Sequence, residues 1–339
     1  MTTLTVIRPR AEDVEGQPIL RPLPSRECRS VGPFVFFDHM LPTRYGPGTG
    51  MNIRQHPHIG LSTLTYLFEG ALQHKDSLGS DQVVQAGDVS WMTAGSAIAH
   101  VERTPEALKA SGFSLHGLQV WLASPQDHET GPGHYSHHPA ASLPVSDNLG
   151  VQIRLIAGSG FCLKSPVPVL SPTLYAEVQM QTATTLLIPD EHEERAVYVL
   201  EGEAQLDGEP LEVRSLVVLP AGQEMTLFAE SDCHLVVFGG APLDGPRRIN
   251  WNFVLFGFFA KFWTHSGQTL GMQVWGVRVQ NADGSRISLW QALLRFVVAI
   301  ASWLCVGLGF IWSVFDKRKR SWHDIYSDTQ LVRVPKQKK

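Results

Sequence analysis

Two short pairs, His56-Pro57-His58 and His100-Val101-Glu102, constrain this chain more than any other feature. Each has i, i+2 spacing, which on a strand points both side chains to one face. Two such strands paired in a sheet bring three imidazoles and one carboxylate towards a single point. That is a donor set for a divalent first-row metal, with coordination positions left for substrate or water. His58 and His100 are 42 positions apart, room for a short antiparallel meander to return to its start. The pairs therefore predict β structure built around a metal.

The rest of the front part agrees. Up to about residue 245, short apolar runs such as LSTLTYLFEGAL (61–72), QVVQAGDVSWM (82–92), LHGLQVWLA (115–123), AVYVLEGEAQL (196–206) and CHLVVFGG (233–240) alternate with Gly, Pro, Asp and Asn. Recurrence at roughly 8–12 residues marks a β-sandwich or barrel. Two stretches are alike, YLFEGALQHKDS (66–77) and YVLEGEAQLDGE (198–209), each followed by a Gly-containing return. Such internal similarity predicts two related barrels in tandem.

Charge divides the chain in two. Residues 1–244 carry 14 Lys/Arg against 28 Asp/Glu, a net of −14, whereas residues 245–339 carry 14 against 4, a net of +10. An acidic front part argues against direct nucleic-acid binding, because phosphate contacts need clustered basic groups. The four cysteines, Cys28, Cys162, Cys233 and Cys305, form no CxxC pair and are expected to be small buried hydrophobes. The opening MTTLTVIRPRAEDVEG has no apolar segment of the kind a signal peptide carries, so the front part is expected to fold in the cytoplasm.

Longer motifs add a resemblance. Gly50 stands five residues before His56-Pro57-His58, and Gly87, Thr93, Ala94 and Gly95 precede His100, in the manner of the two cupin motifs. The carboxylate usual just after HxH is absent from Ile59–Thr63, and Glu102 takes its place from the other strand. Together with VGPFVFFDHM (31–40), HKDSLGS (74–80), MTAGSAIAHVE (92–102) and GGAPLDGPRRINWNFV near residue 254, this resembles the pirin family. The resemblance implies a mainly β bicupin, with a metal-binding barrel at 1–125 and a metal-free barrel at 126–250. It implies one metal, held by His56, His58, His100 and Glu102. Fe(II) is the expected ion, and Mn, Co, Ni or Zn are alternatives.

The activity implied is that of a quercetin 2,3-dioxygenase, which opens the heterocycle of a flavonol with dioxygen and releases carbon monoxide. Glu102 is then the expected base for the flavonol 3-hydroxyl. Phe34, Phe36 and Phe37 are candidates to stack on the flavonol, while His39, His74 and His116 are expected to pack or pair near the metal cavity. His134, His137 and His138 are expected in a solvated loop. A second implication is an iron-dependent regulatory module that binds a protein partner.

Residues 251–339 read differently. Phe296–Phe315 is uncharged, and its twenty residues at about 1.5 Å each match a hydrocarbon core of about 30 Å. Lys317-Arg318-Lys319-Arg320 follows, which places that end in the cytoplasm and attaches the bicupin to the inner face of the membrane. The aromatic run Trp251–Trp263 is expected to be an interfacial anchor or truncated span. FWTHSGQTLGMQVWGVRVQNADGSRISLWQALLRF (262–296) and FDKRKRSWHDIYSDTQLVRV (315–334) resemble the C-terminal part of an RDD-family membrane domain. Asp316 or Asp324 corresponds to one of that family's aspartates, and the resemblance allows a cupin sensor tethered to a transporter-like domain. The loop 264–295 is also basic, so both ends of the apolar run should lie on one side. That conflict predicts either re-entry near Gly307-Leu308-Gly309 or a segment lost at the junction.

Overall fold

The computed structural model describes residues 4–247, 259–260, 262–269, 272 and 276–334. Most of the run Trp251–Trp263 lies outside the described residues. The chain divides into two compact units, Met1–Arg248 and Ile249–Lys339.

The first unit opens with β1 (Thr5–Ile7), β2 (Arg10–Val14), β3 (Gln17–Leu23), β4 (Phe34–Tyr45), β5 (Asn52–His58) and β6 (Leu61–Glu69). It continues through β7 (Ala71–Asp76), β8 (Asp81–Gln85), β9 (Val89–Thr93), β10 (Ile98–Arg103), the short α1 (Glu106–Ser111), β11 (Phe113–Ala123) and β12 (His134–His138). A seven-stranded antiparallel sheet, β12-β9-β6-β11-β4-β3-β2, and a four-stranded sheet, β5-β10-β7-β8, form the first barrel.

The second barrel repeats the plan. Its strands are β13 (Val145–Asn148), β14 (Val151–Gly160), β15 (Leu163–Lys164), β16 (Thr173–Met180), β17 (Thr185–Ile188) and β18 (Glu194–Glu201). They continue with β19 (Ala204–Leu206), β20 (Glu209–Pro210), β21 (Leu216–Leu219), β22 (Met225–Ala229) and β23 (Cys233–Gly240). The large sheet runs β1-β21-β18-β23-β16-β14-β13 with β15 on β14, and the small one runs β17-β22-β19-β20. Two strands cross between barrels: β1 pairs with β21 of the second, and β12 pairs with β9 of the first. His134, His137 and His138 therefore lie on a strand and not in a loop; His134 is exposed as expected, whereas His137 and His138 are half-buried, with His137 Nε2 2.8 Å from Asp88 Oδ2.

The burial pattern of β4 shows how the sheets meet. Phe34–Met40 is buried without a break, and alternation resumes only from Leu41. A strand covered on both faces reads as a continuous apolar run. One core cluster joins Phe34, Phe37, Tyr66 and Leu118 to Tyr175, Tyr198 and Phe238, so the two large sheets share an aromatic seam. Phe34 meets Phe238 edge-on at 4.9 Å, and Phe37 lies 5.1 Å from Tyr198. A second cluster of Val, Leu, Ile, Ala and Met fills the second barrel.

The paired YLFEG and YVLEG stretches are equivalent hairpins. Gly70 and Gly202 have φ of +86° and +87°, and a Cβ on either would lie 2.3 Å from a backbone oxygen, of Ser114 or Asp232. The glycine is thus required twice, by conformation and by close approach. Of the four free cysteines only Cys233 is buried; Cys162 and Cys305 are exposed and Cys28 is intermediate.

The second unit contains β24 (Val277–Gln280), α2 (Leu289–Leu304), α3 (Leu308–Phe315), α4 (Trp322–Tyr326) and β25 (Gln330–Arg333). Among the described residues no single helix is long and apolar enough to cross a membrane. The expected span Phe296–Phe315 is broken, because α2 and α3 meet at 99°. Gly307 sits at the break with φ +81°, and a Cβ on Gly309 would lie 2.0 Å from Ser302 Oγ. Asp324 pairs with buried Arg295 at 2.6 Å, whereas Asp316 accepts from the backbone N–H groups of Arg318 and Arg320.

One polar node ties the barrels together across the seam. Glu177 on β16 accepts from Tyr66 of β6 at 2.5 Å and from His234 of β23 at 2.9 Å, with Arg154 at 3.6 Å. Burial opposes the carboxylate's charge, but these partners prevail and hold its pKa below the usual glutamate value. The stabilisation is present above the unfolded pKa near 4.5 and is lost as pH falls through the lower folded value. Glu177→Gln should cost about 1–3 kcal/mol at neutral pH and flatten the stability curve below about pH 4.5. Urea unfolding from pH 3 to 7 measures both, and an unaltered acid limb would remove Glu177 from this role.

Candidate metal centre

β5 and β10 pair antiparallel with His100 opposite His56, so the i, i+2 pairs share a face as the spacing predicts. His56, His58 and His100 bring ring nitrogens within 4.8 Å of one another. A second set, His74, His100 and Glu102, meets the same limit, so Glu102 joins the cluster through His100. The register shifts between His100 and Glu102, and the carboxylate takes a hydrogen-bond contact from Thr65 Oγ1 at 3.0 Å. The structure thus brings the three imidazoles together directly and holds Glu102 at their edge.

Hydrogen-bond partners fix which nitrogens carry protons. His56 Nδ1 lies 2.8 Å from the Arg54 carbonyl, which only accepts, so Nδ1 holds the proton and Nε2 the lone pair. His74 Nε2 donates to Asp76 Oδ2 at 3.1 Å, leaving its Nδ1 to accept from His100 Nδ1 at 3.3 Å. His100 Nε2 then carries a lone pair as well, 3.1 Å from His56 Nε2. Two lone pairs facing each other with no proton between them repel, unless a cation sits where they meet. The donor set therefore fits a divalent metal.

Burial agrees with that charge pattern. Desolvation lowers the pKa of His56 and takes those of His58 and His100 well below the usual histidine value, keeping the rings neutral as metal ligation requires. Burial also raises Glu102 to about 7, against the opposing Thr65 contact. A bound cation reverses the sign of that effect and favours the carboxylate.

The walls come from the large sheet. Thr65 Oγ1 also lies 2.6 Å from Gln119 Oε1. Trp121 presents its ring to His58, centroids 4.9 Å apart at 77°, and stacks on Phe36 at 3.9 Å. Arg21 covers Phe36 at 4.5 Å and pairs with Asp38 at 2.6 Å. Phe36 is thereby sandwiched, and Phe34 and Phe37 belong to the seam, so none of the three is placed to stack on a ligand. Trp121 is the aromatic wall. His39 and His116 face the seam as well: His39 Nε2 is 2.9 Å from His116 Nε2 and its Nδ1 3.1 Å from the Tyr198 hydroxyl. Burial, then neighbouring His116, lowers His39 to about 3.

The pairs alone do not reveal His74, Asp76, Thr65 and Trp121. His74-Lys75-Asp76 repeats the i, i+2 signal on β7, the strand that flanks β10 on its other side.

Two tandem barrels with a histidine cluster inside the first define the front unit as a bicupin of the cupin fold. Residues 16–122 match the Pirin family and residues 175–255 the Pirin C-terminal cupin domain, while residues 248–328 match the RDD family. A pirin-like protein of Caulobacter vibrioides is 42% identical over 248 residues, covering 72% of this chain and 85% of that protein. The chain belongs to the pirin family. A Pseudomonas aeruginosa relative, provisionally named a quercetin 2,3-dioxygenase, is 36% identical, over 72% of this chain and 76% of its own. A crystal structure of quercetin 2,3-dioxygenase from Acinetobacter baumannii superposes with a TM-score of 0.69 at 32% identity, covering 74% of this chain and 82% of that one. An Escherichia coli pirin solved with nickel(II) shares the fold, with a TM-score of 0.57 at 18% identity over 71% of this chain and all of its own.

Outer hydrogen bonds to metal-binding histidines typically contribute about 10–100-fold in affinity. His74→Phe keeps a flat ring against Tyr135, which stacks on His74 at 4.2 Å, but cannot accept from His100. It should weaken Ni(II) binding by about 10–100-fold in calorimetric titration. Undiminished affinity would show that His74 does not set the proton position on His100.

Proposed function

We propose that the front unit is a metal-dependent dioxygenase that opens the heterocycle of a flavonol such as quercetin. His56, His58, His100 and Glu102 would hold the metal, with iron(II) as the natural occupant and Mn, Co, Ni or Zn as substitutes. The convergence of proton-free ring nitrogens on His56 and His100, 3.1 Å apart inside the barrel, carries this reading. The nitrogen and oxygen donors, without thiolates, suit these divalent ions. The similarity to the A. baumannii quercetin 2,3-dioxygenase supports the substrate class. A ferrous ion bound there would supply the one-electron chemistry that dioxygen requires.

The protein's own groups have separate tasks. Glu102 would take the proton of the flavonol 3-hydroxyl, with Thr65 holding its carboxylate. Trp121, half-buried beside His58, would wall the chamber on that side. Quercetin and dioxygen enter, and a depside and carbon monoxide leave, so the atoms balance.

The match of residues 248–328 to the RDD family supports membrane association of the second unit. We place that attachment at the inner face, where Lys317–Arg320 would remain with the cytoplasm.

Full-length chain loaded anaerobically with Fe(II) should consume quercetin on admission of air, with carbon monoxide released in equal amount. Glu102→Gln should lower turnover by about 10²–10⁴-fold while metal is still bound. His56→Ala should lose both. Turnover unaffected by His56→Ala would refute the site, and tight metal binding without turnover would shift the assignment to an iron-dependent regulatory module.

A further inference from the structure

We infer that the α2–α3 elbow is a wedge that enters one leaflet of an anionic bilayer and leaves on the side it entered. The inference rests on the membrane attachment proposed above and specifies how it is made.

Ala260, Trp263, Val279, Ile287 and Ala292 form a small apolar core, but around α2–α4 the polarity is inverted. The buried side chains there include Arg295, Ser302, Ser321, Asp324, Ser327 and Thr329. Arg295 donates to both Asp324 and Thr329, so the charge inside is paired. The outside is apolar: Leu304, Val306 and Phe315 are 81%, 90% and 75% exposed, and Trp303, Ile311 and Val314 are also exposed. In water this arrangement is costly, since burial of polar groups gains nothing and exposed apolar area is penalised. Facing lipid, the same arrangement is favourable, because hydrocarbon accepts the apolar surface and polar groups must find partners inside.

The elbow is built into the sequence. α2 has 16 residues and α3 has 8, so at 1.5 Å per residue they extend about 24 and 12 Å. Neither spans a hydrocarbon core of about 30 Å, and α3 fits within one leaflet. Gly307 supplies the left-handed turn, and Gly309 lies so close to Ser302 and Trp322 that α3 cannot swing out in line with α2 without breaking this packing. The ends carry polar signals. Ser288 and Gln291 form a capping box at the start of α2, and Lys317, Arg318 and Lys319 are exposed just after α3. Both ends thus belong at a headgroup layer, with Leu304-Cys305-Val306 deepest. The basic run selects anionic lipid over a second copy of this unit, since residues 245–339 carry a net +10 and would repel their own kind.

Cys305, exposed at the elbow, is a natural probe. In full-length chain with Cys28→Ser and Cys162→Ser, Ser288→Cys or Lys317→Cys adds a probe at one end. The chain is mixed with sealed phosphatidylcholine vesicles containing or lacking phosphatidylglycerol, and an impermeant maleimide is added outside. The wedge requires binding to the anionic vesicles, labelling at both ends and protection of Cys305. Replacing Lys317, Arg318 and Lys319 by Gln should reduce that binding on the order of a hundredfold, at about 1 kcal/mol per charge. Protection of one end only means a crossing and overturns the wedge while leaving attachment intact. Protection of Cys305 without vesicles means that a second copy covers the elbow and overturns it. Binding to neither vesicle refutes the membrane attachment itself.

Discussion

The aromatic seam between the two large sheets is the constraint on which the metal chamber depends. Phe34, Phe37, Tyr66, Leu118 and Val120 belong to the seam, and strand geometry sends their neighbours to the opposite face. Those neighbours, Thr65, Phe36, Gln119 and Trp121, line the first barrel's interior. The seam thus fixes which side chains the chamber receives. A one-residue slip would exchange the two sets, placing Thr65 and Gln119 against the second barrel and Phe37 against the metal. The continuous burial of Phe34–Met40 makes such a slip costly on both faces at once.

Within the chamber, charge is governed by burial and then by direction. Desolvation keeps the imidazoles neutral and brings Glu102 near 7, so burial holds down the charge of the donor set until a cation compensates it. Direction is set one layer further out. The Arg54 carbonyl orients His56, and Asp76 acts through His74 on His100. The second barrel has the same strand plan but an interior of Val, Leu, Ile, Ala and Met. Its role in the structure is to supply the other half of the seam and the Glu177 node.

Both units bury apolar side chains, but the second also buries an ion pair beneath an exposed apolar elbow. In the first, apolar side chains fill the core, and residues 1–244 carry a net charge of −14. In the second, the Arg295–Asp324 pair and its hydroxyl partners are inside while Trp303, Leu304 and Phe315 are outside. The charge split visible along the chain is the one-dimensional trace of that difference.

The sequence by itself determined the β-rich tandem plan, the pairing of His56 with His100 and the equivalence of the two Glu-Gly hairpins. Each depends on local period or on a glycine that no other residue can replace. It also carried the family, through long ordered motifs. Other features were decided by tertiary structure. Glu102 reaches the cluster through His100 because a strand irregularity and Thr65 hold it there. Phe34, Phe36 and Phe37 are placed by which sheet covers them, which spacing along the chain cannot show. The apolar run Phe296–Phe315 has the length of a span, yet Gly307 and the Gly309–Ser302 contact bend it. Periodicity reports which face a side chain takes, and only packing decides what that face meets.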